Sequence, residues 1–363
     1  MKPTSPGFRV AVVGASSLLG QELISILEER RFPVSYLAKF ETEAEEPELP
    51  VIDLEQGIGT FESSSQLTGT AFDYVFLAAA PRSASAAADL LHRALEGNCA
   101  VIDLTSGSEQ TGDGASAEGS TQILRIPSLE RAGLAPSGTP GPSSPGKTVF
   151  LSAHPAAIVV SSLLLRLAAQ AKLKSANAHI FVPVSELGSR AVDELQKQTV
   201  SLLSFQKPSQ TIFGAQLAFN LLPRVGRTRI SALTELEKRV RYQLRRYLAD
   251  RAPLPALRLV QVPVYYSLAF SLFIETAGPT SAEALVQALQ GEHLLVRKAF
   301  QPAPSPAEVA GSNEILIDAI TRDAESGSGY WVWATVDNMR LAAVNTVEIA
   351  ESLQETRSPV RVQ

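Results

Sequence analysis

Little in this sequence lends itself to cross-linking or to metal. One cysteine, Cys99, occurs in 363 residues, which excludes an intrachain disulfide and fits a reducing, cytoplasmic setting. The four histidines, His92, His154, His179 and His293, lie far apart. They show none of the paired His or Cys/His spacings of a zinc site, so no metal is expected. No apolar run reaches the roughly 20 residues of a membrane-spanning helix; the longest, residues 158–171, is broken by Arg166. Segment 8–19 contains Arg9 and Gly14 and reads as strand and turn rather than as the apolar core of a signal peptide. A basic excess is missing too: net charge is −5 and pI about 5.6, which argues against nucleic acid or an anionic membrane as partner.

What is present is ordinary globular material, 45% hydrophobic and 19% charged, and long enough for two cores. In the first part, short apolar runs at residues 8–13, 34–38, 74–80 and 100–104 alternate with helical patterns at 18–27 and 83–95. Strands alternating with helices imply a parallel, Rossmann-type sheet with right-handed crossovers. From about residue 152 the character changes. Residues 158–171, 189–204 and 234–248 read as helices, and 179–184, 257–264, 267–276 and 331–337 as strands. That pattern implies an α+β domain with a mixed or antiparallel sheet. A last helix covers 339–353, and residues 107–120 and 136–147 are Gly/Ser/Pro-rich loops. The expected division is a Rossmann-type domain over 1–151, a second domain over 152–338, and a C-terminal segment, 339–363, returning to the first.

The first strand runs into Gly14-Ala15-Ser16-Ser17-Leu18-Leu19-Gly20. A strand, a glycine turn and a helix place backbone N–H groups at a helix N-terminus, which suits a pyrophosphate. The outer glycines are present, while the middle one is Ser17, whose Cβ crowds the closest phosphate approach. The motif serves equally as a packing turn. After the second strand come Lys39 and then Glu41, Glu43, Glu45, Glu46 and Glu48. An acidic run there repels a 2′-phosphate; a solvated acidic loop is the competing reading.

The order of several segments resembles the aspartate-β-semialdehyde dehydrogenase family, most closely its Usg-type relatives, which lack the catalytic cysteine. The segments are the Gly14–Gly20 turn with Leu27-Glu28-Glu29-Arg30-Arg31-Phe32-Pro33-Val34, residues 76–85, and Val184-Ser185-Glu186-Leu187-Gly188 with Ala191 to Gln198. Ala218-Phe219-Asn220-Leu221-Leu222-Pro223 and Val336-Asp337-Asn338-Met339-Arg340 through Asn345 to Glu351 complete the set. The resemblance implies an oxidoreductase frame from amino-acid biosynthesis, a homodimer formed through the sheet of the second domain, and NADP or NAD as cofactor. Carried over, the cofactor residues are Gly14, Ser16, Ser17, Leu18, Leu19 and Asn338.

The same resemblance implies a cysteine nucleophile, a histidine base and arginines for the substrate carboxylate and phosphate, and here the match breaks. The nucleophile segment is Ser152-Ala153-His154-Pro155-Ala156-Ala157-Ile158, with the nucleophile position at Ala156 or a neighbour. The base position, five residues after Pro263, is Leu268; the carboxylate arginine is Gln261; a family glutamine is Val182; the phosphate arginine is Glu109. No catalytic residue is therefore assigned, and the expectation is a family member inactive in the aspartate semialdehyde reaction, with a nucleotide, small molecule or protein as its ligand. An NAD(P)-dependent enzyme of altered chemistry is the alternative. Recruitment of Cys99 is a third reading, set against its place as a small residue entering a buried strand. His154 is an anion ligand, a base or, preferred, a hydrogen-bonded structural residue. The cluster Lys238, Arg239, Arg241, Arg245 and Arg246 is read as a solvated helix face paired with Glu235 and Glu237.

Overall fold

The computed structural model describes residues 7–42, 61–81, 83–105, 120–136, 147–226, 231–298 and 301–354, which form two compact units. The first comprises the described residues of Met1–Pro127, Gly138–Ala153 and Ala342–Gln363, the second those of Ser128–Ser137 and His154–Leu341. Glu43, Glu45, Glu46, Glu48 and Glu109 lie outside the described residues, as do most of the two Gly/Ser/Pro-rich stretches.

The first unit starts with β1 (Phe8–Val13), α1 (Leu18–Glu29), β2 (Val34–Glu41), β3 (Glu62–Ser63), β4 (Tyr74–Leu77), α2 (Ala84–Ala94) and β5 (Ala100–Asp103). It continues with β6 (Thr121–Arg125) and β7 (Thr148–Ser152), between which lies the short α3 (Pro127–Arg131), most of it in the second unit. The strand order is β3-β2-β1-β4-β5-β7-β6, and all neighbouring pairs are parallel. This is the Rossmann-type sheet that the strand–helix alternation implies. The chain leaves β1 for β2 on one side and returns to β4 on the other, so the carboxyl ends of β1 and β4 form the switch point where ligands of such sheets bind.

The second unit begins with α4 (Pro155–Gln170), β8 (Leu173–Val182), a 3-10 turn at Val184–Leu187, α5 (Ser189–Leu203), α6 (Ala232–Leu248), β9 (Ala256–Gln261) and β10 (Leu268–Thr276). There follow α7 (Ala282–Ala288), β11 (Leu294–Val296), α8 (Pro306–Val309), β12 (Ile315–Ile317), β13 (Thr321–Arg322), β14 (Gly329–Val336) and α9 (Asn338–Gln354). The sheet is mixed, in the order β11-β12-β14-β10-β8-β9, with β13 on β14. Its centre, β14-β10-β8, is antiparallel, while β8-β9 and β11-β12 are parallel. α4 packs on β8, α6 and α7, and is buried on nearly every side, which explains why its sequence is apolar without a clear stripe.

α9 begins in the second unit, and its turns from Ala342 onward belong to the first. There Val344, Val347, Ile349 and Leu353 share one core with Leu23 and Ile26 of α1 and Val10 and Val12 of β1. Asn345 Nδ2 donates to Ser152 Oγ (2.8 Å) and the Arg125 carbonyl (3.3 Å), and Arg30 pairs with Glu351 (2.6 Å). In the second unit, two buried polar residues of α5 hold a loop. Glu194 accepts from the Ile212 amide (2.8 Å), and Gln198 Oε1 accepts from the amides of Leu217 (2.7 Å) and Ala218 (3.1 Å). Gln198 Nε2 donates to the Ser209 carbonyl (2.6 Å). The family-like spacing of Glu194 and Gln198 therefore has a structural purpose.

The glycine turn is equally constrained. Gly14 has φ +78°, and a Cβ on it would stand 2.3 Å from the Ala79 Cβ. A Cβ on Gly20 would stand 2.1 Å from the Gly14 carbonyl oxygen, where helix meets turn. Gly20→Ala is expected to destabilise the protein by about 1–3 kcal/mol or more through forced separation of the two. Gly278→Ala, with nothing within 4 Å, should leave the urea midpoint close to that of the native chain. Equal midpoints for Gly20→Ala and the native chain would refute the packing argument.

Candidate functional site

Gly14, Ser16, Ser17, Leu18 and Leu19 come together at the carboxyl end of β1. The turn is fastened to β2, since the amides of Gly14 (2.7 Å) and Ala15 (3.2 Å) both donate to the Phe40 carbonyl. Ser17 does more than crowd. It is the N-cap of α1 at φ −65°, a conformation that needs no glycine; its Oγ accepts from the Gly20 amide (3.0 Å) and donates to the Gly14 carbonyl (2.7 Å). Leu18 and Leu19 are the first two helical residues, and their amides have no acceptor within the helix. Such amides at a helix N-terminus form the donor set a diphosphate requires. Glu41, the last residue of β2, accepts from the Ser16 amide (2.9 Å) and from Ser16 Oγ (2.7 Å). The residues present therefore fit a dinucleotide diphosphate, with a carboxylate fixed beside it.

Asn338 belongs to the second unit and takes part in a different construction. It is buried at the start of α9, and its Nδ2 donates to Glu186 Oε1 (2.8 Å) and Ser185 Oγ (3.1 Å). Its Oδ1 accepts from the Ser267 amide (3.0 Å). Ser267 has φ +79°, a left-handed conformation rare for serine, and the Asn338 bond helps hold it there. Glu186 Oε2 lies 3.0 Å from His154 Nε2. His154 is the N-cap of α4, its Nδ1 accepting from the Ala156 amide (3.1 Å), and its own amide donates to Gln243 Oε1 (2.8 Å). With Nδ1 an acceptor, the proton of the ring sits on Nε2 and is donated to Glu186. Both ring nitrogens are thus engaged, which is the hydrogen-bonded structural role preferred for this residue.

Glu186 is the centre of this network. Burial, the largest influence, pushes its carboxyl up; attraction to the His154 ring, the hydrogen bonds from His154 and Asn338, and the Arg239 charge outweigh it and hold the carboxyl below the ordinary carboxylate range. The network was not foreseen from the sequence. The available signal was an acid, Glu186, within the family-like segment Val184-Ser185-Glu186-Leu187-Gly188.

The positions carried over for the reaction are apolar or turned inward. Ala156 and Ala157 are 1% exposed and Leu268 is fully buried. Gln261, also fully buried, donates from Nε2 to the main-chain carbonyl of Val182 (2.8 Å), while its Oε1 has no partner. Cys99 is buried at the amino end of β5, where its Sγ donates to the Ala94 carbonyl (2.9 Å). The turn lies at the opposite, carboxyl edge of that sheet, so Cys99 is a core residue. On α6, Lys238 pairs with Glu235 (2.8 Å) and Arg241 with Glu237 (3.0 Å), as a solvated face does.

Comparison with known proteins follows the two units. The family model for the semialdehyde dehydrogenase NAD binding domain matches residues 9–114, and that for the semialdehyde dehydrogenase dimerisation domain matches 164–341. Aspartate-semialdehyde dehydrogenase of Rickettsia bellii is 25% identical over 353 residues, covering 96% of this chain and 98% of the relative. The USG-1 protein homolog of Pseudomonas aeruginosa is 27% identical over 357 residues, covering 96% and 98%. Among solved structures, aspartate semialdehyde dehydrogenase II of Vibrio cholerae superposes with TM-score 0.78 at 22% identity, covering 96% of this chain and 99% of that one. The Candida albicans enzyme, solved with NADP, gives 0.62 at 14% identity, covering 96% and 98%. Among the described residues, no helix is long and apolar enough to cross a membrane.

The Glu186 shift has a defined pH signature. A carboxyl whose folded pKa is depressed contributes stability that is present above its unfolded value, about 4.3, and is lost as pH falls through the lower folded value. Glu186→Gln is expected to be less stable than the native chain by about 1–3 kcal/mol near neutrality. The gap should narrow as pH falls below the usual carboxylate range, measured by urea unfolding at both pH values. A gap independent of pH would remove Glu186 as the titrating group.

Proposed function

The chain belongs to the semialdehyde dehydrogenase family, and from that premise we propose that it is a member that does not catalyse the aspartate semialdehyde reaction but retains a nicotinamide dinucleotide site and a dimeric frame. The carrying observation is the burial of Ala156 and Leu268 at the nucleophile and base positions. Acyl transfer through a covalent intermediate requires a nucleophile and a group that moves its proton. A methyl and an isobutyl side chain supply neither, and His154, the titratable residue beside Ala156, has both ring nitrogens committed. Gln261 is neutral and committed to Val182, so a substrate carboxylate loses its charged anchor as well.

The dinucleotide site is proposed at Gly14, Ser16, Ser17, Leu18 and Leu19. The Leu18 and Leu19 amides would receive the diphosphate, and Gly14 and Gly20 keep the turn close enough to the helix for both to point outward. A bound nicotinamide ring would supply hydride transfer. That capacity favours, as second reading, an oxidoreductase of altered chemistry on the same frame. Asn338, which its motif implies as a cofactor residue, is proposed instead as a positioning residue for Glu186 and Ser267.

The dimer is proposed to form through the sheet of the second unit. The face of that sheet turned from its core carries Phe181 against Trp333 and Phe273 against Trp331, with Trp331 40% exposed. Aromatic pairs on an open sheet face are the composition of an interface core. Light scattering is expected to give twice the chain mass of 38.8 kDa, shifting toward one chain in Trp331→Glu. A monomer at all concentrations would refute the dimer.

Assay of the purified protein with aspartate semialdehyde, phosphate and NADP is expected to give turnover at least about 10⁴-fold below an active family member. Ala156→Cys alone should not restore it, because the base position stays Leu268. Turnover within a hundredfold of an active member would overturn the proposal.

A further inference from the structure

We propose that Glu41 makes the first unit selective for a dinucleotide whose adenosine ribose is unphosphorylated, so that the turn accepts NAD(H) and turns away NADP(H). This rests on the reading that the turn holds a dinucleotide. Glu41 ends β2, and in a sheet of this topology the adenosine ribose lies at the end of the second strand. Its carboxylate does not swing freely. Oε1 receives the Ser16 amide at 2.9 Å and Oε2 receives Ser16 Oγ at 2.7 Å. The backbone behind it is fixed as well, because the Gly14 and Ala15 amides both bond the carbonyl of Phe40, the preceding residue.

Each carboxylate oxygen keeps a further lone pair, so two ribose hydroxyls find acceptors without displacing Ser16. A 2′-phosphate carries about −1.5 to −2 charges. It would meet a fixed negative charge, and would compete with that carboxylate for the same Ser16 donors. Lys39 shares this face of β2 by strand alternation. It offers a cation on a flexible stem, whereas Glu41 is the group tied to the turn itself. The arrangement is therefore asymmetric toward ribose hydroxyls.

The test is a fluorescence titration of the full chain and of Glu41→Gln and Glu41→Arg with NADH and NADPH, with thermal unfolding of each variant as the check on folding. The native chain is expected to bind NADH at least about tenfold more tightly than NADPH, equivalent to about 1.4 kcal/mol. Glu41→Gln should shrink the ratio, and Glu41→Arg should invert it. Equal affinities, a native preference for NADPH, or a ratio unchanged in both variants would overturn the selectivity while leaving the dinucleotide site standing. No binding of either nucleotide to any of the three proteins at millimolar concentration would remove the dinucleotide site and the selectivity together.

Discussion

A carboxylate largely withdrawn from water must be met by donors, and in the second unit that requirement falls on Glu186, whose side chain is 14% exposed. Unmatched, a buried carboxylate costs several kcal/mol, whereas hydrogen bonds to a charged group contribute about 1.5–3 kcal/mol each. The donors come from separate parts of the chain: His154 from the start of α4 and Asn338 from the start of α9. Satisfying one charge therefore fixes the 3-10 turn after β8 against two helix starts. The further bonds follow from it. Asn338 steadies the left-handed Ser267 before Leu268, and His154 orders the first turn of α4 at Ala156.

The first unit has the opposite character. Its turn is closed by Ser17 and Glu41, but the amides of the first two residues of α1 remain directed away from the helix. One unit thus closes its polar groups on one another, while the other leaves two helix-start amides open. Gln261 is held through its Nε2 by the main-chain carbonyl of Val182, and its Oε1 is left without a partner.

Much of the fold was legible because its signals are local. The run 8–13 followed by a glycine turn, and the regular apolar spacing of α1, mark a strand and a helix whatever surrounds them. β7 was not read as a strand, because it follows a Gly/Ser/Pro-rich stretch whose composition dominates its neighbourhood. The first half of β8 was missed because Lys174 and Asn177 sit on its exposed face, and a strand half-wet in this way lacks an apolar run. β2 extends past its predicted end to Glu41, the acid that clasps Ser16; reading that acid as the start of a loop hid its partner. The departures at Ala156 and Leu268 were visible as substitutions, but the network around Glu186 was not. It joins residues 154, 186 and 338, and only the folded topology brings them together.

Ser17 has a consequence outside the native contacts. A glycine at that position would add backbone freedom to the unfolded chain, freedom that folding must remove. Where the native φ is −65°, replacing glycine by a residue with a side chain stabilises by about 0.4–1 kcal/mol through the unfolded state. Chain entropy and helix capping therefore act together in favour of serine here, and the turn reaches the folded state with less freedom to lose.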